Sequence, residues 1–310
     1  MRGEKNMEFV GRRRRTVEQH SLEGNAFLRD SGDEDDGEDK EEEVVDWFAE
    51  LWPRESQREL VFPVDSFKLT VLQDVNGETF KTSLANTVWE AGWFLNRYFQ
   101  EKSLFPPGYF VGKSVLELGS GTGVVGMTLA LLGAEVTLTD LAEALPILRA
   151  NVEFNFGEKG PRSSEHEGDS YAAPSGITVP EVEELAWGEP LSDVITGQHW
   201  DIVIGADIIY NPTHFEALAS SLEHIMSNSE GTMGYFCHLV RNVEGPFWER
   251  VSQKIQSTII DCDEFEFSKE IHSAEGTIGR VENRLLVPIQ QQGPSATTLA
   301  ATAAVDDDPL

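Results

Sequence analysis

Cysteine is nearly missing from this chain: Cys237 and Cys262 are its only two. Two thiols cannot build a multi-bridge disulfide framework or a cysteine-based zinc site, and they suit a reducing compartment. Long apolar runs are missing as well. No stretch approaches the ~18 residues a membrane helix needs, and the opening MRGEKNMEF lacks the apolar core of a secretory signal. Positive charge is scarce: 24 Lys and Arg stand against 54 Asp and Glu, a formal net charge of −30. A domain this acidic neutralises few phosphates, which argues against nucleic acid and anionic membranes as partners and favours a basic one. His214, His224 and His238 show no ligand spacing, so no metal site is expected, and no Ser-His-Asp or Cys-His nucleophile arrangement stands out. The expectation is a soluble, intracellular monomer, cytoplasmic and, if the run Arg12 to Arg15 is an import signal, also nuclear. The alternative for that run is a solvated tail.

What is present is organised in blocks. Residues 33–43 carry nine acids in eleven positions; such a run repels itself and buries nothing, so residues 1–45 read as a disordered charged tail. Val44 to Trp52 reads as a short amphipathic turn. In the next segment Phe67, Leu69 and Val71 share one side of a strand, and Asn76-Gly77 reads as a hairpin turn to a partner strand at 79–83, because both residues tolerate positive φ. Residues 86–101 read as a helix bearing Trp89, Trp93, Leu95 and Phe99. Strands and helices then alternate, with strands at 114–118, 135–139, 177–185, 201–206 and 231–239 and helices at 123–132, 145–156, 214–226 and 246–254. Such alternation implies a mostly parallel sheet covered on both faces. Two closing strands, near 258–267 and 277–287, read as an antiparallel pair. Residues 157–176 read as a surface insertion and 290–310 as a second disordered tail, leaving 46–289 as the domain.

The chemistry gathers where strands meet loops. Glu117-Leu118-Gly119-Ser120-Gly121-Thr122-Gly123 runs from a strand through glycines into a helix, a turn that lets backbone N–H groups approach a ligand. Gly121-x-Gly123-x-x-Gly126 also fits the dinucleotide fingerprint. Glu117 leans the other way. A carboxylate there repels a pyrophosphate but suits a ligand with cationic groups, and S-adenosylmethionine carries an ammonium and a sulfonium and no phosphate. Asp140, ending the next strand, is placed to accept hydrogen bonds from ribose hydroxyls; a nicotinamide enzyme would use the same device, and capping of the following helix is a third role. Trp187, in Leu185-Ala186-Trp187-Gly188, is placed to pack on an adenine or to fill the core. Asp207 and Tyr210, in Gly205-Ala206-Asp207-Ile208-Ile209-Tyr210, follow a strand at the topological switch point, where ligands sit. Ala206 is small enough for a cofactor ring to approach, Asp207 suits a substrate amine, and Tyr210 suits a hydrogen bond or a cation–π contact to it; a loop cap and a packing ring are the bland readings. Trp89 is either core or a cover for the cofactor.

Together these segments resemble the seven-β-strand protein-lysine methyltransferases of the methyltransferase-like group. The resemblance rests on Val88-Trp89-Glu90-Ala91-Gly92, the Glu117–Gly123 loop, Leu138-Thr139-Asp140, Pro146 to Asn151, Leu185-Ala186-Trp187-Gly188 and Trp200 to Tyr210, within about residues 60–290. It implies a Rossmann-like class I methyltransferase fold: α/β, a doubly wound, mostly parallel seven-stranded sheet preceded by a β-hairpin and helix. It implies a cofactor site at Trp89, Glu117, Gly119, Ser120, Gly121, Asp140, Trp187 and Ala206. The D-x-x-Y signature falls on Asp207 and Tyr210, tied in that group to methylation of a lysine in a protein such as a chaperone or translation factor. Readings from other classes remain: a small-molecule or nucleic-acid acceptor, a silent binding module, or a nicotinamide dehydrogenase.

Overall fold

The computed structural model describes residues 58–77, 79–80, 84–157, 176–229, 231–263, 265 and 280–289, and the backbone of 162–163. The expected tails, the turn at 44–52 and nearly all of the expected insertion lie outside these residues.

Ten strands and six α-helices form the described chain. They are β1 (Glu59–Val64), β2 (Phe67–Leu72), α1 (Glu90–Tyr98), β3 (Ser114–Leu118), α2 (Val124–Leu131), β4 (Glu135–Asp140), α3 (Leu145–Phe156), β5 (Arg162–Ser163), β6 (Glu181–Glu184), α4 (Asp193–Thr196), β7 (Ile202–Ala206), α5 (Phe215–Ser227), β8 (Met233–Leu239), α6 (Gly245–Val251), β9 (Ile255–Ile260) and β10 (Val281–Pro288), with one 3-10 turn at Pro212–His214. Seven of the strands make one sheet in the order β6-β4-β3-β7-β8-β10-β9. Pairing is parallel from β6 to β8, and β10 runs antiparallel to both β8 and β9. The strand order reverses between β3 and β7, so the carboxyl ends of these two strands frame the crevice. This is the doubly wound α/β sheet expected from the alternation.

The alternation of buried residues shows why both faces are covered. Val115, Ile202, Ile204, Tyr235 and Cys237 point to one face, where they pack with α1, α2 and α3. Leu116, Leu118, Val203 and Phe236 point to the other, against α5 and α6. A strand buried on both sides has no polar face, so its apolar run is continuous, and each fully buried Leu, Ile or Phe contributes about 1.5–3 kcal/mol.

The N-terminal hairpin is real but its turn lies elsewhere than expected. β1 pairs antiparallel with β2, and the turn is at Asp65 and Ser66, with Asp65 at φ 49°. Aspartate tolerates that left-handed conformation better than most residues. Asn76-Gly77 is a turn too, closed by the Gly77 N–H on the Asp74 carbonyl at 2.9 Å. The expected partner strand does not form at Thr79 and Phe80, because the Asp74 carboxylate accepts both of their N–H groups and curls the chain back; residues 81–83 lie outside the described residues.

Two asparagines of α3 dock this hairpin. The Asn155 amide accepts from Thr70 N–H at 2.9 Å and donates to the Thr70 carbonyl at 2.7 Å. One turn earlier, Asn151 does the same for Leu72 at 2.7 and 3.1 Å, and also donates to the Thr122 carbonyl at 3.0 Å. The i, i+4 spacing puts both amides on one helix face, where they serve as a substitute strand along the outer edge of β2.

Asn155→Ala leaves a buried N–H and a buried carbonyl of Thr70 without partners, at an expected cost of about 2–4 kcal/mol. Urea unfolding checks the loss, and hydrogen exchange should show the Thr70 amide losing protection first.

Candidate ligand and acceptor site

β3 ends at Leu118 and the chain turns through Gly119, Gly121 and Gly123 at φ 61°, 54° and 81°. At Gly119 a Cβ would stand 2.7 Å from Ile208 Cγ2 and 3.3 Å from Trp187 Cζ2; at Gly121 it would meet the Ala85 carbonyl at 3.3 Å. The loop is therefore enclosed by residues 187 and 208 on one side and by the segment before α1 on another. Gly126, in the first turn of α2, lets that helix lie against β4, since a Cβ there would overlap Leu138.

Three acids stand at the ends of neighbouring strands, and each serves a different loop. Glu117 is 2% exposed and accepts the Gly126 N–H at 3.1 Å. Burial pushes its pKa up to about 8, against hydrogen bonds from Gly126 and Ser120 that hold it down. Sequence reasoning expected this carboxyl to contact a ligand; in the structure it faces the amino end of α2. Ser120 is also turned inward. It pairs with Thr139 through its backbone N–H at 2.9 Å and its hydroxyl at 3.1 Å, so it knits the loop to β4 and does not face the crevice. Asp140 sits at the end of β4 and accepts the Gly121 N–H at 2.7 Å and the Leu141 N–H at 2.8 Å. Burial raises its pKa, opposed by those two donors. It does not cap α3, whose first residue is Leu145.

Asp207 holds the third position, just beyond β7, at φ 56°. Its side chain is 3% exposed. One carboxylate oxygen accepts from Leu239 N–H at 3.1 Å and Arg241 Nη1 at 2.6 Å, and the other accepts Arg241 Nη2 at 2.7 Å. Sequence reasoning expected this acid to meet a substrate amine; in the structure its oxygens face a two-pronged arginine. Arg241 did not emerge from the sequence. The one available signal was a basic residue two places beyond the apolar strand β8, on the same sheet edge as Asp207. Burial works to lower the guanidinium pKa, but Asp207, and then Glu244 and Glu90, raise it.

The remaining expected residues surround the same strand ends. Trp187 is half-buried beside Gly119. Ala206 closes β7 and is half-buried. Trp89 precedes α1, with its indole N–H on the Leu84 carbonyl at 2.9 Å. Tyr210 is 37% exposed, and among the described residues no group hydrogen-bonds its hydroxyl. Burial raises its pKa, Asp140 and Asp207 raise it further, and Arg241 opposes them, so the ring stands within electrostatic reach of all three. Trp89, Gly119, Gly121, Asp140, Trp187, Ala206 and Tyr210 thus lie near the strand ends, and Glu117, Ser120 and Asp207 are hydrogen-bonded to α2, β4 and the β8 end respectively.

Residues 65–254 match the model of a family described as lysine methyltransferase. The chain belongs to that family. The match spans every residue of the site, Arg241 included. Among curated relatives, EEF1A lysine methyltransferase 3 of Xenopus tropicalis is 35% identical over 165 residues, 49% of this chain and 63% of that protein. Protein N-lysine methyltransferase METTL21A of Mus musculus is 36% identical over 146 residues, 47% of this chain and 57% of that protein. The METTL21A of Danio rerio is 36% identical over 147 residues, 47% of this chain and 58% of that protein. The chain thus spans about three fifths of the length of these relatives in the family.

Glu117 makes a pH prediction. Its folded pKa near 8 exceeds the unfolded value of about 4.3, so its favourable share of stability is complete below the unfolded value and is lost as pH rises to the folded one. Glu117→Gln should abolish that loss, leaving the variant more stable relative to wild type at pH 8.5 than at pH 5 by up to a few kcal/mol, at about 1.4 kcal/mol per pKa unit. Thermal melts at the two pH values check the sign.

Proposed function

We propose that this chain is an S-adenosylmethionine-dependent methyltransferase that modifies a lysine side chain of a protein. The observation that carries the reading is the Asp140 carboxylate joined to Gly121 of the loop at the switch point, in a chain of the lysine methyltransferase family. Residues present fit the cofactor. Left-handed glycines at 119, 121 and 123 let the backbone of the strand–helix turn lie close to a ligand. Asp140 keeps lone pairs for ribose hydroxyls beyond those used by Gly121 and Leu141. Trp187 borders the turn as an adenine platform, Ala206 leaves room beside β7, and Trp89 stands before α1 as a cover.

Bound S-adenosylmethionine supplies an electrophilic methyl group on its sulfonium. The chain's residues supply position and electrostatics. The acceptor amine must attack in its neutral form. Tyr210, exposed and kept protonated by its raised pKa, accepts one amine N–H through its hydroxyl oxygen and so aims the nitrogen lone pair. Asp207 sets the wall on which that loop rests.

For the substrate, the relatives named for EEF1A point to a translation factor and the net charge of −30 to a basic surface on it; a chaperone fits the same chemistry. A monomer in the cytoplasm, extending to the nucleus if Arg12 to Arg15 direct import, completes the reading. Among the described residues no helix is long and apolar enough to cross a membrane.

Incubating cell extract with labelled S-adenosylmethionine and the full chain should label a protein on lysine, as read by mass spectrometry. Calorimetry should show the cofactor binding. Tyr210→Phe should lower kcat about tenfold, the worth of one hydrogen bond of ~1.4 kcal/mol, with cofactor affinity unchanged. Binding of NAD in place of S-adenosylmethionine, or label only on nucleic acid or small molecules, would defeat the reading.

A further inference from the structure

The loop Asp207-Ile208-Ile209-Tyr210 carries the exposed side chain proposed to meet the acceptor, so the contacts that hold this loop decide where the tyrosine stands. Ile208 and Ile209 are 6% and 1% exposed and packed with α5 and α6 residues. Asp207 takes a left-handed conformation unusual for a residue with a side chain. Its N–H donates to the Cys237 carbonyl at 2.7 Å, and its carboxylate receives three donors from the β8 end, two of them from one guanidinium. Arg241 closes the circuit by donating from Nη1 to the Leu239 carbonyl at 3.0 Å. The arginine's own backbone is fixed in turn. Glu244, 5% exposed, accepts from the N–H groups of Arg241 at 2.5 Å and Val243 at 3.0 Å, around Asn242 at φ 60°. The two strand-end segments beside the crevice are thereby tied by this ion pair together with the Asp207–Cys237 and Leu239–Asp207 hydrogen bonds.

We infer that Arg241 is a positioning residue for methyl transfer: it clamps Asp207, and through it the Asp207–Tyr210 loop, so that Asp207 acts on the acceptor by fixing Tyr210 and not by binding the amine itself. The inference rests on the proposed lysine-methylating site. A short bidentate guanidinium–carboxylate pair whose carboxylate is buried, with the Arg241 side chain 29% exposed, is held too firmly for an incoming ammonium, with one point charge, to displace it. A lysine at 241 would keep the charge but lose the fork, so the two-pronged geometry itself is what the site requires.

The test uses the full chain and four variants, Asp207→Asn, Arg241→Gln, Arg241→Lys and the double Asp207→Asn/Arg241→Gln. S-adenosylmethionine affinity, melting temperature, kcat and KM are measured on the acceptor found by labelling. Both neutralising single variants should lower kcat by about 100-fold, the scale of an ångström misplacement, with cofactor affinity unchanged. The double variant should be no slower than the slower single one, since the two residues act as one unit. Arg241→Lys should fall between wild type and Arg241→Gln. Arg241→Gln strands a buried carboxylate and can unfold the protein; the double variant removes that charge and keeps the question open to measurement. If it folds and works at the wild-type rate, the pair is only a structural tie and the inference fails. Multiplying losses in the double variant would also overturn it, as would a defect in KM alone, which would make Asp207 a direct amine binder. Label on a residue other than lysine would defeat the lysine reading and leave the coupling measurable on that residue; absence of any transfer would overturn both.

Discussion

A carboxylate taken out of water must be given donors or a proton, and this fold places three of them, Glu117, Asp140 and Asp207, at the carboxyl ends of three adjacent parallel strands. Each has been answered by a different loop. Glu117 draws the first turn of α2 down through Gly126. Asp140 draws in Gly121. Asp207 draws in the end of β8 and Arg241. The loops that surround the switch point are therefore shaped by the need to satisfy buried acids. Tyr210, at the end of the loop that begins with Asp207, stays exposed beside them.

The hairpin joins this arrangement through neutral groups. β2 has β1 along one edge, but on the other β5 reaches only Phe67 and Lys68. Thr70 and Leu72 would be left with buried, unpaired backbone. Asn155 and Asn151 meet that need. The second of them also holds Thr122 of the glycine loop, so β1–β2 and the loop share one amide.

Much of this was legible in the residues, and the boundary of legibility has a physical cause. The parallel strands showed as short apolar runs, because burial on both faces leaves no room for polar residues. α3 was expected at 145–156 and spans Leu145–Phe156. The glycine loop was readable because its positive φ values and close contacts admit little else. Features that depend on distant partners were not. Arg241 and Asp207 lie 34 residues apart, and the asparagine amides meet β2 across 79 and 85 residues; no local pattern records such pairs. The direction in which Glu117 and Ser120 turn was not readable for a related reason. A residue's position beside a ligand loop is written in the chain, but the side of the backbone it faces depends on the register of β3 with β4 and α2. The hairpin was placed one turn late because Asn-Gly is a louder signal than Asp-Ser, although both sites do turn.

The sheet has an open edge at β6, which pairs only with β4 among the described residues. Its four residues are Glu181, Val182, Glu183 and Glu184. An unpaired strand edge is a template for adding another chain, and a row of like charges on it repels any second copy offering the same edge. The surplus of acid that marks this chain thus has a colloidal side: at β6 it guards the one place where the parallel half of the sheet would otherwise keep growing.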